Sequence, residues 1–234
     1  MQGLSLVAPA RGIYPAYMRP ESAKQLGSRG GDKWNTTGVL LDEAVAAGPV
    51  DLREIFGNNR PVELEIGSGK GTFLLARAGA RPEVNFLGLD CARAYAAYCA
   101  DRIRRAGLTN VRMLRSEAAH FCKVCLPDEC LLRIHVYFPD PWPKRRHNRR
   151  RLIQPSFLAE ARRTLMPGGQ LIVVTDHFDY FRHIRRVLHE AKGFVRIAMP
   201  RMTDAAGELV GTNFERKYIA QGRPFYATAL LRHA

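Results

Sequence analysis

The sequence predicts an α/β fold built on a parallel sheet with helices on both faces. Three observations carry this. From Pro61 onward, short apolar strands and amphipathic helices alternate five times. Such alternation implies parallel strands joined by helical crossovers. The segment "LLRIHVYF" (131–138) has few charges, as a strand buried on both faces requires. Two last strands, "FVRIAM" (194–199) and "FYATALLR" (225–232), close the chain with no helical pattern between them. They are expected as an antiparallel, hairpin-like addition at one edge.

The elements follow in order. "PVELEI" (61–66) is a strand in which Val62, Leu64 and Ile66 alternate with Glu63 and Glu65. "GSGKG" is a turn, and "TFLLARAGA" (72–80) starts a helix. "NFLGLD" (85–90) is the second strand, and "ARAYAAYCADRIRRAG" (92–107) is a helix stopped by Gly107. "NVRMLR" is the third strand, after which Glu117 begins a helix. After the fourth strand, "RLIQPSFLAEARRTL" (151–165) is a helix ended by "MPGG", and "QLIVVTD" (170–176) is the fifth strand. In "YFRHIRRVLHEAKG" (180–193), Phe181, Ile184, Val187 and Leu188 share one helical face and Arg182, Arg185 and Arg186 another.

The chain has 234 residues, 46% of them hydrophobic, which suits one domain with an arm. Residues 1–50 are irregular and rich in Gly, Pro and Ser, and read as a flexible basic arm. No apolar run approaches the ~20 residues of a membrane span. The first residues lack a basic start followed by a long apolar stretch, so a cytoplasmic protein is expected. Thirty-six basic against 22 acidic residues give a net charge of +14. That field favours polyanions, nucleic acid before acidic membrane. Five cysteines, an odd number, argue against a disulfide framework. Cys122, Cys125 and Cys130 lack a fourth ligand at zinc spacing, since His120 and His135 fit no standard pattern. They are expected as packed thiols, and no metal is expected.

An open parallel sheet binds its ligand at the carboxyl ends of its strands. Five strand ends carry an acid: Glu65, Asp90, Glu117, Asp140 and Asp176. The first loop carries Gly67, Gly69 and Gly71, residues that let backbone turn tightly against a ligand. It matches a dinucleotide fingerprint only in part, because Thr72 replaces the third glycine. It fails as a phosphate P-loop, with Leu64 for the first glycine and Gly71 after Lys70. An acid before G-x-G-x-G, with a second acid ending the next strand, resembles the first motif of S-adenosylmethionine-dependent methyltransferases. Acids suit that donor, which carries an ammonium and a sulfonium and no phosphate.

"FPDPWPKRRHNRRR" (138–151) places a carboxylate between two prolines, then a tryptophan and a basic run. With "ELEIGSGKG", "TDHFDYF" and "TNFERK", it resembles the bacterial type of tRNA (guanine-N7)-methyltransferase family, from about Val50 to the C-terminus. The resemblance implies a seven-stranded Rossmann-like class I methyltransferase sheet over residues 51–234, helices on both faces and the last two strands antiparallel. It implies methyl transfer from S-adenosyl-L-methionine to N7 of guanine 46 in tRNA, by a monomer or homodimer without an obligate partner subunit. Glu65, Gly67, Gly69, Gly71, Asp90, Glu117 and Asp140 would contact the donor, with Asp140 catalytic. Lys144, Asp176, Thr212, Asn213, Phe214 and Glu215 would contact substrate. Arg145, Arg146, Arg149, Arg150 and Arg151 would contact RNA. Glu117 stands where the family often has Asp, which moves one hydrogen bond outward by a methylene.

The residues agree with this chemistry. Guanine N7 has a free lone pair and no proton, so no general base is needed. Pro139 and Pro141 fix φ on either side of Asp140. Asp140 is expected either to offset charge on the ring or to accept from the guanine N1–H and amino group. Trp142 is expected either to stack on a base or to pin the loop. A methyltransferase for another RNA and a non-catalytic RNA binder on the same fold are the alternatives.

Overall fold

The computed structural model describes the backbone of Leu6–Val7 and residues 34–233. The arm expected over residues 1–50 thus lies, up to residue 33 and apart from Leu6–Val7, outside the described residues. The described strands are β1 (Leu6–Val7), β2 (Val62–Ile66), β3 (Asn85–Asp90), β4 (Val111–Arg115), β5 (Leu131–Tyr137), β6 (Leu165–Thr175), β7 (Phe194–Ile197) and β8 (Phe225–Arg232). The described helices are α1 (Leu52–Phe56), α2 (Thr72–Ala80), α3 (Arg93–Arg105), α4 (Ala118–His120), α5 (Pro155–Thr164), α6 (Phe178–Glu190) and α7 (Asn213–Ala220).

One sheet holds all the described strands in the order β1-β8-β6-β5-β2-β3-β4, with β7 also pairing β8. Strands β2 to β6 are mutually parallel, so their carboxyl ends share one rim. Strand β8 runs antiparallel between β6 and β7. The last two strands are therefore antiparallel at one edge, as expected, but they are not a simple hairpin. Helix α7 lies between them, capped by Thr212, whose side chain accepts from the Glu215 N–H. "TNFE" is a capping-box pattern, and that start signal outweighs the weak apolar periodicity of the segment.

Leu64, Ile66, Leu89, Leu114, Ile134, Val136 and Leu171 are buried on one face, with Phe157 of α5 and Ile184 of α6. Phe86, Val111, Met113, Tyr137, Ile172 and Val174 are buried on the other, with Phe73 of α2 and Ile103 of α3. Because both faces are covered, all five residues of β2 are buried, Glu63 and Glu65 included. Apolar alternation in this strand therefore marks two faces of core, not core against solvent.

"MPGG" does not end α5, which stops at Thr164. It lies inside β6 as a bulge: Leu131 pairs Leu165, but Arg133 already pairs Gln170. Residues 39–41 lie along the outer edge of β4, where Leu41 N–H donates to Met113 O at 2.8 Å and Met113 N–H to Val39 O at 2.9 Å. Cys122, Cys125 and Cys130 are free thiols. Burial pushes Cys122 and Cys130 up to about 12, so they pack as neutral side chains.

Candidate active site

Strand order places the five strand-end acids along one rim, as Glu117, Asp90, Glu65, Asp140 and Asp176. The order reverses between β2 and β5, the switch point where open sheets of this kind form their ligand crevice. Glu65 ends one side of that crevice and Asp140 follows the other.

The glycine loop wraps the ends of β2 and β3. Gly67, Gly69 and Gly71 all have positive φ, at 79°, 52° and 70°. Gly67 and Ser68 donate to Leu89 O at 2.8 and 3.1 Å. At Gly71 a Cβ would sit 2.2 Å from Cys99 Sγ, so loop and α3 touch there backbone to side chain. Gly88 of β3 pairs Glu65, and a Cβ on it would meet Ser68 Oγ at 2.8 Å. Its missing side chain leaves room for Ser68 over the carboxylate.

Glu65 is 4% exposed, and its Oε2 has no hydrogen-bond partner. Burial pushes its carboxyl up to about 8, against the Ser68 hydrogen bond and with the repulsion of Asp90. A buried acid with an empty oxygen at the crevice is a seat for a cationic ligand. Asp90 accepts from Gly69 N–H and Ala92 N–H, both at 2.9 Å. Burial raises its carboxyl against these two bonds, and the charge of Asp140 raises it further. Asp90 is thus tied to the glycine loop, and Asp140 is near enough for its charge to act on it. Each Asp90 oxygen keeps a lone pair for a ligand hydroxyl. Glu117 is exposed and caps α4, accepting from Ala119 at 2.9 Å and His120 at 2.7 Å. Its carboxylate is fixed by the helix start, with one lone pair of each oxygen directed outward.

The loop after β5 turns sharply at both ends: Phe138 has φ 51° and Trp142 φ 43°. Non-glycine residues in this region are costly, by about 1–3 kcal/mol, and cluster at functional sites. Asp140, between them, is exposed and accepts no hydrogen bond from any described residue. Trp142 is half-buried, with the Arg150 guanidinium 5.0 Å from its ring centroid and His147 edge-on at 5.8 Å. These contacts pin the loop. Partial desolvation and the charges of Arg150, Arg146, Lys144 and Arg149 hold His147 below the ordinary histidine value.

The basic run divides in two. Lys144, Arg145, Arg146, Arg149 and Arg150 are exposed around a short 3-10 helix, Arg145–Arg150, and none joins an ion pair with a described acid. Arg151, expected to contact RNA, is only 6% exposed. Its Nε donates to Pro141 O at 2.8 Å, and its guanidinium lies 5.0 Å from the Tyr180 ring centroid. It clamps the Asp140 loop from beneath.

The expected substrate residues divide similarly. Phe214 is 47% exposed, and Asn213 is exposed beside it. Phe214 lies 6.0 Å from Phe138 between ring centroids, which brings α7 to the Asp140 loop. Glu215 is fully buried and accepts from Leu209, Val210 and Gly211 N–H at 2.5–2.9 Å. That places it under the loop, not against substrate, and Thr212 is its buried cap partner. Asp176 is held by Arg223 Nη2 at 2.8 Å. Local sequence gives no signal for Arg151, Arg223 or Gly88, because their partners lie far along the chain. Glu215, expected to contact substrate, instead closes its own loop, and the available signal was the S/T-x-x-E pattern of Thr212–Glu215 at a helix start.

The fold is the one found in S-adenosylmethionine-dependent methyltransferases. The same sheet occurs in a SAM-dependent methyltransferase from Aquifex aeolicus, at TM-score 0.53 and 18% identity over 92% of this chain and all of that one. It occurs also in the 16S rRNA methyltransferase KamB, at TM-score 0.57 and 14% identity over 78% of this chain and 93% of that one. Residues 59–228 match the family model described as "Putative methyltransferase". The tRNA (guanine-N(7)-)-methyltransferase of Chromohalobacter salexigens is 35% identical, covering 82% of this chain and 77% of its own. That of Syntrophotalea carbinolica is 36% identical, covering 80% and 81%. The chain belongs to the tRNA (guanine-N(7)-)-methyltransferase family. Among the described residues, no helix is long and apolar enough to cross a membrane.

Proposed function

We propose that this protein transfers the methyl group of S-adenosylmethionine to N7 of guanine 46, in the variable loop of tRNA. The observation that carries the reading is the pair of carboxylates at the β2/β5 switch point: Glu65, buried with an empty oxygen, and Asp140, exposed and unpartnered. The buried orphan oxygen and the side-chain-free glycine loop fit a cationic donor without phosphates. Glu65 would hold its ammonium, Asp90 its ribose hydroxyls and Glu117 its adenine edge, with Gly67, Gly69 and Gly71 against its backbone-facing side. When bound, the donor supplies an electrophilic methyl on a sulfonium.

The chain's own part is positioning. Asp140 accepts from the guanine N1–H and amino group, which aims N7 across the crevice and offsets the positive charge arriving on the ring. Arg151, Pro139 and Pro141 hold that carboxylate in place. Phe214 and Asn213 face the purine, with Lys144 nearby, while Asp176 and Arg223 form the wall behind. Arg145, Arg146, Arg149 and Arg150 hold phosphates of the surrounding RNA.

Purified protein is incubated with labelled donor and either unmodified tRNA or rRNA fragments, and the RNA is then cleaved chemically at N7-methylguanine. The expected result is one cut, in the tRNA variable loop. A label confined to rRNA, or no label at all, would overturn the reading.

A further inference from the structure

Helix α6 starts beside Asp176 and carries an exposed stripe the reaction does not use. Phe178 is 49% exposed, the largest exposure of any large hydrophobic side chain among the described residues. Arg182 follows one turn later, Arg185 and Arg186 one turn beyond that. These positions are i, i+4, i+7 and i+8, one continuous helical face. All three arginines are exposed, and none pairs with an acid among the described residues. The contact made by this trio is Arg186 Nη2 with His183 Nδ1, at 3.3 Å. Asp179, the acid of the first turn, pairs with none of them.

Other arginines of the molecule behave differently. Arg77, Arg81, Arg104, Arg105, Arg133 and Arg163 each lie within 4.0 Å of a carboxylate. Unpaired cations such as Arg60, Arg93 and Arg196 are scattered elsewhere on the surface, but on the 3-10 helix Arg145–Arg150 and on α6 they stand in runs. These two elements are joined rigidly. Ile153 N–H donates to Tyr180 Oη at 3.1 Å, and His183 Nε2 meets Ile153 O at 2.9 Å. Arg151 lies over the same Tyr180. The basic run, the Asp140 loop and α6 therefore form one surface.

Phe178 is built as a platform. Its ring rests on Tyr226 at 5.5 Å, and Tyr226 is in turn stacked with Phe181 at 5.1 Å and 22° between planes. An aromatic ring backed by others, exposed among unpaired arginines, fits an unstacked base followed by its phosphates. We propose that Phe178 stacks a base flanking the target guanine, and that Arg182, Arg185 and Arg186 hold the phosphates beyond it. The partner is a looped, unpaired stretch of RNA, not a continuous duplex. This inference deepens the tRNA reading above and rests on it.

The test is direct binding of unmodified tRNA by the full chain, with methyl transfer measured in parallel. Phe178→Ala is expected to weaken binding roughly tenfold, and Phe178→Trp to restore it. An abasic residue beside guanine 46, placed on each side in turn, should cost the parent a similar factor on one side and cost Phe178→Ala nothing further there. The triple variant Arg182→Gln, Arg185→Gln, Arg186→Gln should lower the slope of log K against log salt by roughly two. Turnover at saturating tRNA should stay near the parent level in each. Binding and salt slope unchanged in both variants would overturn the inference, as would a Phe178→Ala loss that the abasic substrates retain in full. A parent that binds as expected here but methylates no tRNA would instead sink the reading it rests on.

Discussion

Glu63 and Glu65 stand two residues apart on β2, face the same side of the sheet and are both buried. Their surroundings give them opposite characters. Burial alone would raise Glu63, but the His135 hydrogen bond and the charges of His135, Arg133 and Arg77 overcome it and hold its carboxyl at about 2. Its oxygens meet Arg81 at 2.8 Å, Arg133 at 3.0 Å and His135 Nε2 at 2.9 Å. Burial keeps His135 below its ordinary value, and its Nδ1 lies 2.8 Å from Tyr137 Oη. His135 Nε2 thus donates to Glu63, while Nδ1 pairs with the Tyr137 hydroxyl. Glu65 has no such cation, and burial leaves it at about 8. The molecule thus assigns its charge by place. Below the rim the buried acids Glu63, Asp101 and Glu215 have their partners within the chain, whereas at the switch point neither Glu65 nor Asp140 has a cationic partner among the described residues.

Removing a rim acid should abolish chemistry without touching the fold. Asp140→Ala is expected to lower methyl transfer by about 100-fold or more, with tRNA affinity within about twofold. Turnover near the parent level would exclude Asp140 as the catalytic carboxylate. Removing an interior acid should do the reverse. Glu63→Ala leaves Arg133 without its carboxylate and the buried His135 without its acceptor, and is expected to cost about 3–5 kcal/mol in denaturant unfolding. The sign with pH follows from the depressed carboxyl. Glu63 stabilises the fold fully above about pH 4.5, by about 3 kcal/mol, and this is lost as pH falls toward 2. An acid-unfolding curve that is the same in parent and Glu63→Gln would break the contrast.

Arginines sharpen the same comparison. Arg151→Gln should lower turnover several-fold by loosening the Asp140 loop, with the salt dependence of tRNA binding unchanged. The double variant Arg145→Gln, Arg149→Gln should do the opposite and reduce the salt slope by roughly one to two. A steep salt slope preserved in the double variant would remove those residues from the RNA surface.

Much of the rim was legible before the structure. Strand–helix alternation gave the parallel order, and that order alone put Glu65, Asp90, Glu117, Asp140 and Asp176 on one edge. The glycine spacing was legible because positive φ is written in residue type. Arg151 was not, because its burial depends on Tyr180, on a helix nearly thirty residues later. Asp176 likewise gave no hint of Arg223, and Glu65 and Glu63 look equivalent until the sheet's second face is seen to be covered. The bulge at Met166–Gly169 was hidden because Pro-Gly-Gly reads as turn chemistry whether or not a strand continues through it.

Protonation of Glu65 in the free protein, reversed when a cation from outside the chain binds, is what sets it apart from Glu63. It is tested by calorimetric titration of the full protein with S-adenosylmethionine at pH 7, in two buffers of different ionisation enthalpy. A carboxyl at about 8 is mostly protonated at pH 7, and an ammonium beside it requires the ionised form. Binding should therefore release about one proton, and the release should vanish in Glu65→Gln along with much of the affinity. Binding without proton release in the parent, or a Glu65→Gln variant that binds as tightly, would contradict the account.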